Sequence, residues 1–318
     1  MPFAIEPADV EPVVRGLLGG IDVSGGPTDE QLSLLGALCT RVWDRPDLDL
    51  RSLEHLDPEA TALAIADPTT RRRFHELHVA LESCRHPQTV EQVDLVERYA
   101  DALAITGPDL ALFRTFIVEG IERAALDYRR FLDRLVDDRV EPTLGASLEA
   151  PEPELVARLT RLGDCPPGSL GRAYLDFYAA TGLPLPGEVG SGLNHFFVAH
   201  DMTHVIAGIA TTAAGEVALS AFQMGMDDTP TNSSALLASL IAHEAGFGTP
   251  GTFAMESETL AEEGAITLLV DELRRGSLCS ADFSLVDHLA LADLPLSVVR
   301  ERFGVIPPER PDDGHHRW

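Results

Sequence analysis

Apolar residues recur at helical spacing along most of the chain. After Thr28, leucines follow at three-residue intervals, and the run Thr-Asp-Glu-Gln resembles the start of a capped helix. Apolar side chains repeat with the same period over 68–83, 88–104 and 110–138. No run of β-branched residues alternates with polar ones as a half-buried strand would. The pattern therefore predicts an all-α fold.

The distribution of prolines and small residues predicts two helical domains. The stretch VEPTLGASLEAPEP carries three prolines and few large apolar residues, which is typical of a linker. We therefore assign 1–138 to an N-terminal helical domain, 139–153 to a linker and 154–308 to a second helical domain. The polar tail 309–318, which ends in DDGHHRW, is expected to be disordered.

Composition narrows the classes of partner. The formal net charge is −27, and all 24 basic residues are Arg. A surface this acidic repels phosphate backbones, so we expect no nucleic-acid partner and no strong electrostatic attachment to anionic lipid. The N-terminus lacks the pattern of a signal peptide, and the four cysteines never occur as CxxC. We expect a cytoplasmic protein with buried free thiols; apolar contact with the cytoplasmic face of a membrane stays an alternative.

Four potential metal ligands lie close together near the middle of the chain: His200, Asp201, His204 and Glu216. Each residue of an α-helix advances about 100°, so the two histidines share one face and Asp201 flanks it. Polar and small residues over 211–215 could end this helix, cap a second one and return Glu216 to the pair. Two imidazoles and two carboxylates suit zinc or another divalent metal, either as a closed structural site or as an open Lewis-acid site.

Three other interpretations compete with this metal site. The histidines could be core residues hydrogen-bonded to Asp201. An adjacent His-Asp pair also occurs in metal-dependent phosphohydrolases of the HD type, but the only upstream histidine of the second domain is His195. His243-Glu244 begins an HExxH zinc-protease motif, yet position 247 is Phe. The sequence assigns no catalytic residue.

Side chains around the motif have less specific interpretations. His195 could assist the site as a proton donor or acceptor, and Tyr174 and Tyr178 could reach a substrate. Neighbouring apolar residues could line a lipid channel, although ordinary core packing is the simpler explanation; they are Phe196, Phe197, Phe222, Met224 and Met226. In the first domain, His75 and His78 are interpreted as ordinary surface histidines.

The motif residues resemble the ubiquinone (coenzyme Q) biosynthesis family, which is defined by HDxxH-x11-E. The segments 166–178, 200–223 and 294–309 carry the resemblance, which covers about 165–308. It implies a helical fold with one divalent metal, usually zinc, held by the four motif residues beside an apolar channel. It also implies partners: a prenylated lipid or quinone precursor, and proteins of a quinone-biosynthesis complex.

The resemblance allows two functions. One is metal-assisted removal of the C1 carboxyl of a prenylated aromatic acid and its replacement by hydroxyl, which would make the protein a lyase or oxidative decarboxylase. The other is a non-catalytic prenyl-lipid scaffold with a structural zinc. The family's basic stretch is reduced here to Arg274-Arg275-Gly276. In the first domain, the segment CRHPQTVEQVDLVERYADALAI resembles the last helices of tellurite-resistance B-like domains.

Overall fold

A computed structural model describes residues 5–106, 151–191, 193–246 and 257–318. Within these ranges the regular elements are twelve α-helices and three short 3-10 helices, with no β-strand, which confirms the all-α fold. The α-helices are α1 (Val10–Gly20), α2 (Asp29–Arg41), α3 (Pro58–Ala64), α4 (Pro68–Ser83), α5 (Val90–Ala102), α6 (Pro153–Thr160), α7 (Leu170–Thr181), α8 (Phe196–Ala207), α9 (Ala213–Met226), α10 (Pro230–His243), α11 (Ala265–Ser277) and α12 (Leu296–Phe303). The 3-10 helices are Arg161–Asp164, Thr259–Ala261 and His288–Leu291.

Local sequence signals set several helix ends. The Thr28 side chain accepts a hydrogen bond from the Gln31 amide, and the Gln31 side chain accepts one from the Thr28 amide at 3.0 Å. This reciprocal capping box starts α2 where the sequence predicted a cap. The helix predicted over 68–83 has those bounds, and the one predicted over 88–104 occurs as α5. The helix predicted over 110–138 lies outside the described residues.

Two glycines allow α9 and α11 to pack backbone against backbone. A Cβ atom added at Gly225 would lie 2.2 Å from the Leu273 carbonyl oxygen. One added at Gly276 would lie 2.1 Å from the Phe222 carbonyl oxygen. Real Cβ atoms do not approach so closely, so any larger residue would push the helices apart. These close contacts hold helix α9, which carries Glu216, directly against α11.

The two segments assigned to separate domains touch each other. Helix α2 packs on α11, and α4 packs on α10. Ion pairs join the same helices: Arg41 contacts Asp271, and the buried guanidinium of Arg73 contacts Asp228 just before α10. Only the last three residues of the predicted linker are described. The division into two domains therefore stays a prediction.

The tail 309–318, predicted to be disordered, is ordered in the structure. The Ala210 amide donates to the His315 carbonyl oxygen at 2.7 Å, across the connection from α8 to α9. His316 is 5% exposed, and its Nε2 lies 2.8 Å from Glu272 Oε1 on α11. The prediction was wrong because the tail's polar groups find partners on distant elements, which local composition does not reveal.

The two histidines of α4 are also not on the surface. His75 is 4% exposed and His78 is fully buried. His78 Nε2 lies 2.8 Å from the Gly20 carbonyl oxygen, and its ring packs edge-on against Phe74 and Tyr99. The interpretation of this pair as surface residues was therefore wrong, since one of them is a hydrogen-bonded core side chain.

Candidate metal centre

The helix-turn-helix formed by α8 and α9 brings the motif histidines and glutamate together. His200 and His204 lie one turn apart on α8, which ends at Gly208 with φ +71° in the left-handed region. Thr212 caps α9, and Glu216 lies in its first turn. The structure thus confirms the predicted break between the two helices and the return of Glu216 to the histidine pair.

Three donor atoms converge at this turn. Glu216 Oε2 lies 3.2 Å from His200 Nε2, and its Oε1 lies 3.2 Å from His204 Nε2. The two imidazole centroids are 4.9 Å apart. Ligand atoms of the three residues all lie within 4.8 Å of one another. The His204 side chain is fully buried, whereas those of His200 and Glu216 are each 23% exposed, so the site opens on one side.

A hydrogen bond sets the tautomer of His204. Its Nδ1 lies 3.0 Å from the Ile209 carbonyl oxygen, and a carbonyl can only accept, so Nδ1 carries a proton. In the neutral ring, the lone pair of Nε2 then faces the Glu216 carboxylate. Nε2 is buried and lies 3.2 Å from Glu216 Oε1. A lone pair aimed at a carboxylate, with the other ring nitrogen held by a backbone carbonyl, is the arrangement typical of a metal-binding histidine.

Without a cation, the same three groups form an ion pair. Burial favours the neutral form of Glu216, but the positive charges of His204 and His200 outweigh it and hold its pKa well below 4.5. Burial also opposes the charging of His204, yet the carboxylate of Glu216 raises its pKa above 6.5. The Glu216 carboxylate therefore favours a positive charge next to it, either a proton on His204 or a bound metal ion.

Asp201 is left outside this three-residue group. It is 7% exposed, and its carboxylate accepts a hydrogen bond from the Tyr178 hydroxyl on α7. Burial raises the pKa of Asp201, while the nearby positive charge of His200 lowers it. The structure thus brings together three of the four predicted ligands, and direct ligation by Asp201 stays a prediction.

A cavity of about 250 Å³ adjoins the buried histidine. His204 and Phe177 line it, together with Asp176 and the tail residue Arg317. The Phe177 ring stacks on the His204 ring at a centroid distance of 5.9 Å. Sequence reasoning missed Phe177, which lies within the quoted segment before the motif. It also missed Arg317, because the tail was predicted to be disordered.

Three other sequence candidates, His195, Phe222 and Met224, lie outside the three-residue group. His195 pairs with Glu152, with its Nδ1 2.7 Å from the carboxylate, and does not face the metal group. The Phe222 ring packs against Phe283 with centroids 6.0 Å apart, and Met224 is fully buried. Neither residue lines the cavity beside His204, so both are core residues there.

Comparisons with known proteins find only distant structural similarity. No protein-family model and no curated protein matches the chain. Among solved structures, the chain is similar to a candidate ubiquinone biosynthesis protein from Nostoc punctiforme PCC 73102, with 20% sequence identity and a TM-score of 0.35. The match covers 75% of this chain and 99% of that one. These values are too low to transfer a fold or a function.

Proposed function

We propose that the protein binds one zinc or similar divalent ion through His200, His204 and Glu216 and acts on a prenylated aromatic acid in prenylquinone-type lipid biosynthesis. The observation that carries the proposal is the convergence of three donor atoms within 4.8 Å, one of them the buried His204 Nε2 that faces the Glu216 carboxylate at 3.2 Å. The complete HDxxH-x11-E motif and its family resemblance supply the substrate class.

The donor set favours an open site. Two histidines and one glutamate are the ligands of catalytic zinc centres that keep a fourth position for water or substrate, whereas structural sites close with four protein ligands. The exposed side of His200 and Glu216 leaves room for that position. This supports a catalytic role over the scaffold with a structural zinc. Ligation by Asp201 would instead close the site.

The residues around the cavity have distinct tasks in this proposal. When bound by the three side chains, of which only His204 lines the cavity, the divalent ion would supply a Lewis acid for a carboxylate or phenolate oxygen. Phe177 offers an apolar face to an aromatic ring, and Arg317 offers a guanidinium to its carboxylate. The Ile209 carbonyl holds His204 in the ligating tautomer. Tyr178 fixes the buried Asp201 carboxylate beside the site.

The reaction class follows from the balance of atoms. The bond between ring and carboxyl carbon breaks, carbon dioxide leaves, and a bond from the ring carbon to oxygen forms. This exchange is a two-electron oxidation: water supplies the hydroxyl oxygen, and dioxygen takes up the two electrons and two protons and leaves as hydrogen peroxide.

A prenylated substrate needs more space than the cavity gives. At about 250 Å³, the cavity lies just below the roughly 300–1,000 Å³ of typical ligand pockets. It suits the aromatic head of the substrate, and the prenyl tail would extend outwards to a membrane surface. Leu183 and Val189 are 49% and 87% exposed in the connection between α7 and α8 and could insert into lipid there. No helix in the described part of the chain has the length and hydrophobicity to cross a membrane.

The basic pair after the metal helices contributes little to such a membrane contact. Arg275 is 4% exposed; its guanidinium donates to the Ala207 carbonyl oxygen and lies over the Phe222 ring. Only Arg274 of the pair is exposed. Peripheral attachment would therefore depend on apolar insertion more than on charge.

Metal analysis of variants tests the proposal. His204→Ala should lose one equivalent of divalent metal relative to wild type, whereas His195→Ala, whose ring pairs with Glu152, should keep it. Wild-type protein incubated with a prenylated aromatic acid and dioxygen should release carbon dioxide and yield the phenol by mass spectrometry, and His204→Ala should not.

Three results would contradict the proposal at different points. Equal metal content in wild type and His204→Ala would remove the metal site. Bound metal and co-purified prenyl lipid without turnover would exclude the enzyme and favour the non-catalytic scaffold. Hydrolysis of phosphate esters without any reaction of the aromatic acid would favour the HD-type phosphohydrolase.

A further inference from the structure

A second group of metal-ligating side chains lies where the two halves of the chain meet. Ligand atoms of Glu30, Cys84 and Glu244 all lie within 4.8 Å of one another. Glu30 is in the first turn of α2, Cys84 directly follows α4, and Glu244 directly follows α10. Cys84 and Glu244 are fully buried. Three segments distant in sequence therefore place a thiol and two carboxyl groups at one interior point.

The contacts of this group leave it short of positive charge. His86 Nε2 lies 2.7 Å from Glu244 Oε1, and the Leu260 amide donates to Glu244 Oε2 at 2.7 Å. Among the described residues, no Arg or His forms an ion pair with Glu30, and its Oε1 is buried without a hydrogen bond. The two carboxyl groups thus lie next to each other, and in the part of the chain that the structure describes the His86 imidazole is the one group in contact with them that could carry a positive charge.

Two carboxylates this close, Glu244 buried and Glu30 partly exposed, repel each other unless a proton or a metal cation lies between them. Burial and the neighbouring Glu244 carboxylate raise the pKa of Glu30 to about 9. Burial likewise raises the pKa of the Cys84 thiol.

We propose that Glu30, Cys84 and Glu244 bind a zinc-class divalent cation, with His86 orienting the Glu244 carboxylate. A thiolate with carboxylate ligands suits zinc and cobalt better than magnesium or calcium. The hydrogen bond from His86 to a ligating carboxylate is the kind of outer contact that holds metal ligands in place. This site is separate from the His200 group and does not depend on the proposed function.

The role of this second cation would be structural. The ligands belong to α2 and to the ends of α4 and α10, so one ion would connect both predicted domains. The nearby helix pairs α2–α11 and α4–α10 already form that contact. An ion bound only by the folded arrangement stabilises it by mass action.

Cobalt loading of the full-length, chelator-treated protein tests this site. A Cys-ligated cobalt ion gives a thiolate-to-metal charge-transfer band in the near ultraviolet, which the His200 group, having no sulfur ligand, cannot give. Wild type and His204→Ala should both show the band, and Cys84→Ser should lose it. Cys39→Ser is the matched control: it removes another buried thiol, nine residues beyond Glu30 and so about 14 Å along α2, and should keep the band.

Glu30→Gln provides a second test should Cys84→Ser fail to fold. It removes one ligand from a partly exposed position and should weaken cobalt binding roughly tenfold or more while the band persists at saturating metal. Elemental analysis should find one equivalent of metal fewer in Cys84→Ser than in Cys39→Ser. A folded wild type without the band, or a band that survives Cys84→Ser, would overturn the proposal; the first result would mean that Glu30 and Glu244 share a proton instead.

Discussion

Replacement of Glu216 by Gln probes whether the three-residue site is held by charge. Each imidazole nitrogen lies 3.2 Å from a Glu216 oxygen. With an effective dielectric constant of about 20, one such pair attracts with roughly 5 kcal/mol. Desolvation and the 23% exposure of Glu216 offset much of this. We therefore expect Glu216→Gln to lower the free energy of unfolding of the metal-free protein by about 1–3 kcal/mol, or the Tm by roughly 2–5 °C.

The pH dependence of this loss follows from two pKa shifts. The pKa of Glu216 is lowered below 4.5, so its contribution is present above pH 4.5 and is lost as pH falls through the lowered value. The pKa of His204 is raised above 6.5, so its contribution is complete below pH 6.5 and is lost as pH rises through the raised value. Both are present between pH 4.5 and 6.5, where the gap between wild type and Glu216→Gln should be widest.

Bound metal should reverse the pH dependence of the stability difference between wild type and Glu216→Gln. Zinc binds the neutral imidazole, so its stabilisation of wild type should grow as pH rises. Thermal unfolding by circular dichroism, with and without chelator, from pH 5 to about 9 measures both effects. Glu301→Gln, on the exposed face of α12, is the control and should change neither curve. A metal-free gap that widens towards alkaline pH would refute the ion-pair reasoning.

Two further predictions concern the surroundings of the site. Tyr178→Phe removes the hydrogen bond to the buried Asp201 carboxylate and should cost about 1–3 kcal/mol in urea unfolding; an unchanged free energy of unfolding would contradict this assignment. His316→Ala leaves Glu272 without one of its buried partners and should lower the free energy of unfolding by about 2–4 kcal/mol, whereas a tail that contributes nothing to the fold would show no change.

The parts of the structure that the sequence predicts well depend on neighbours along the chain. Helix α4 has its predicted bounds because Pro68 and the preceding Asp67 cap provide a local start. The pairing of His200 with His204 follows from helical geometry alone. The approach of Glu216 follows from one turn, whose left-handed and capping residues lie within the motif's own spacing. A group of potential metal ligands formed by two consecutive helices is therefore within reach of sequence reasoning.

The features that sequence reasoning missed depend on contacts between distant segments. The hydrogen bond between the Asp201 carboxylate and a tyrosine on the preceding helix is one such contact. The tail is ordered by bonds to a connection roughly a hundred residues earlier, and Arg317 reaches the cavity only because of them. The group of Glu30, Cys84 and Glu244 has no spacing that any motif would describe, since its members come from three helices. Their chemistry becomes visible only when packing places them together, and for that reason the cobalt band of Cys84 tests the tertiary arrangement as well as the metal site.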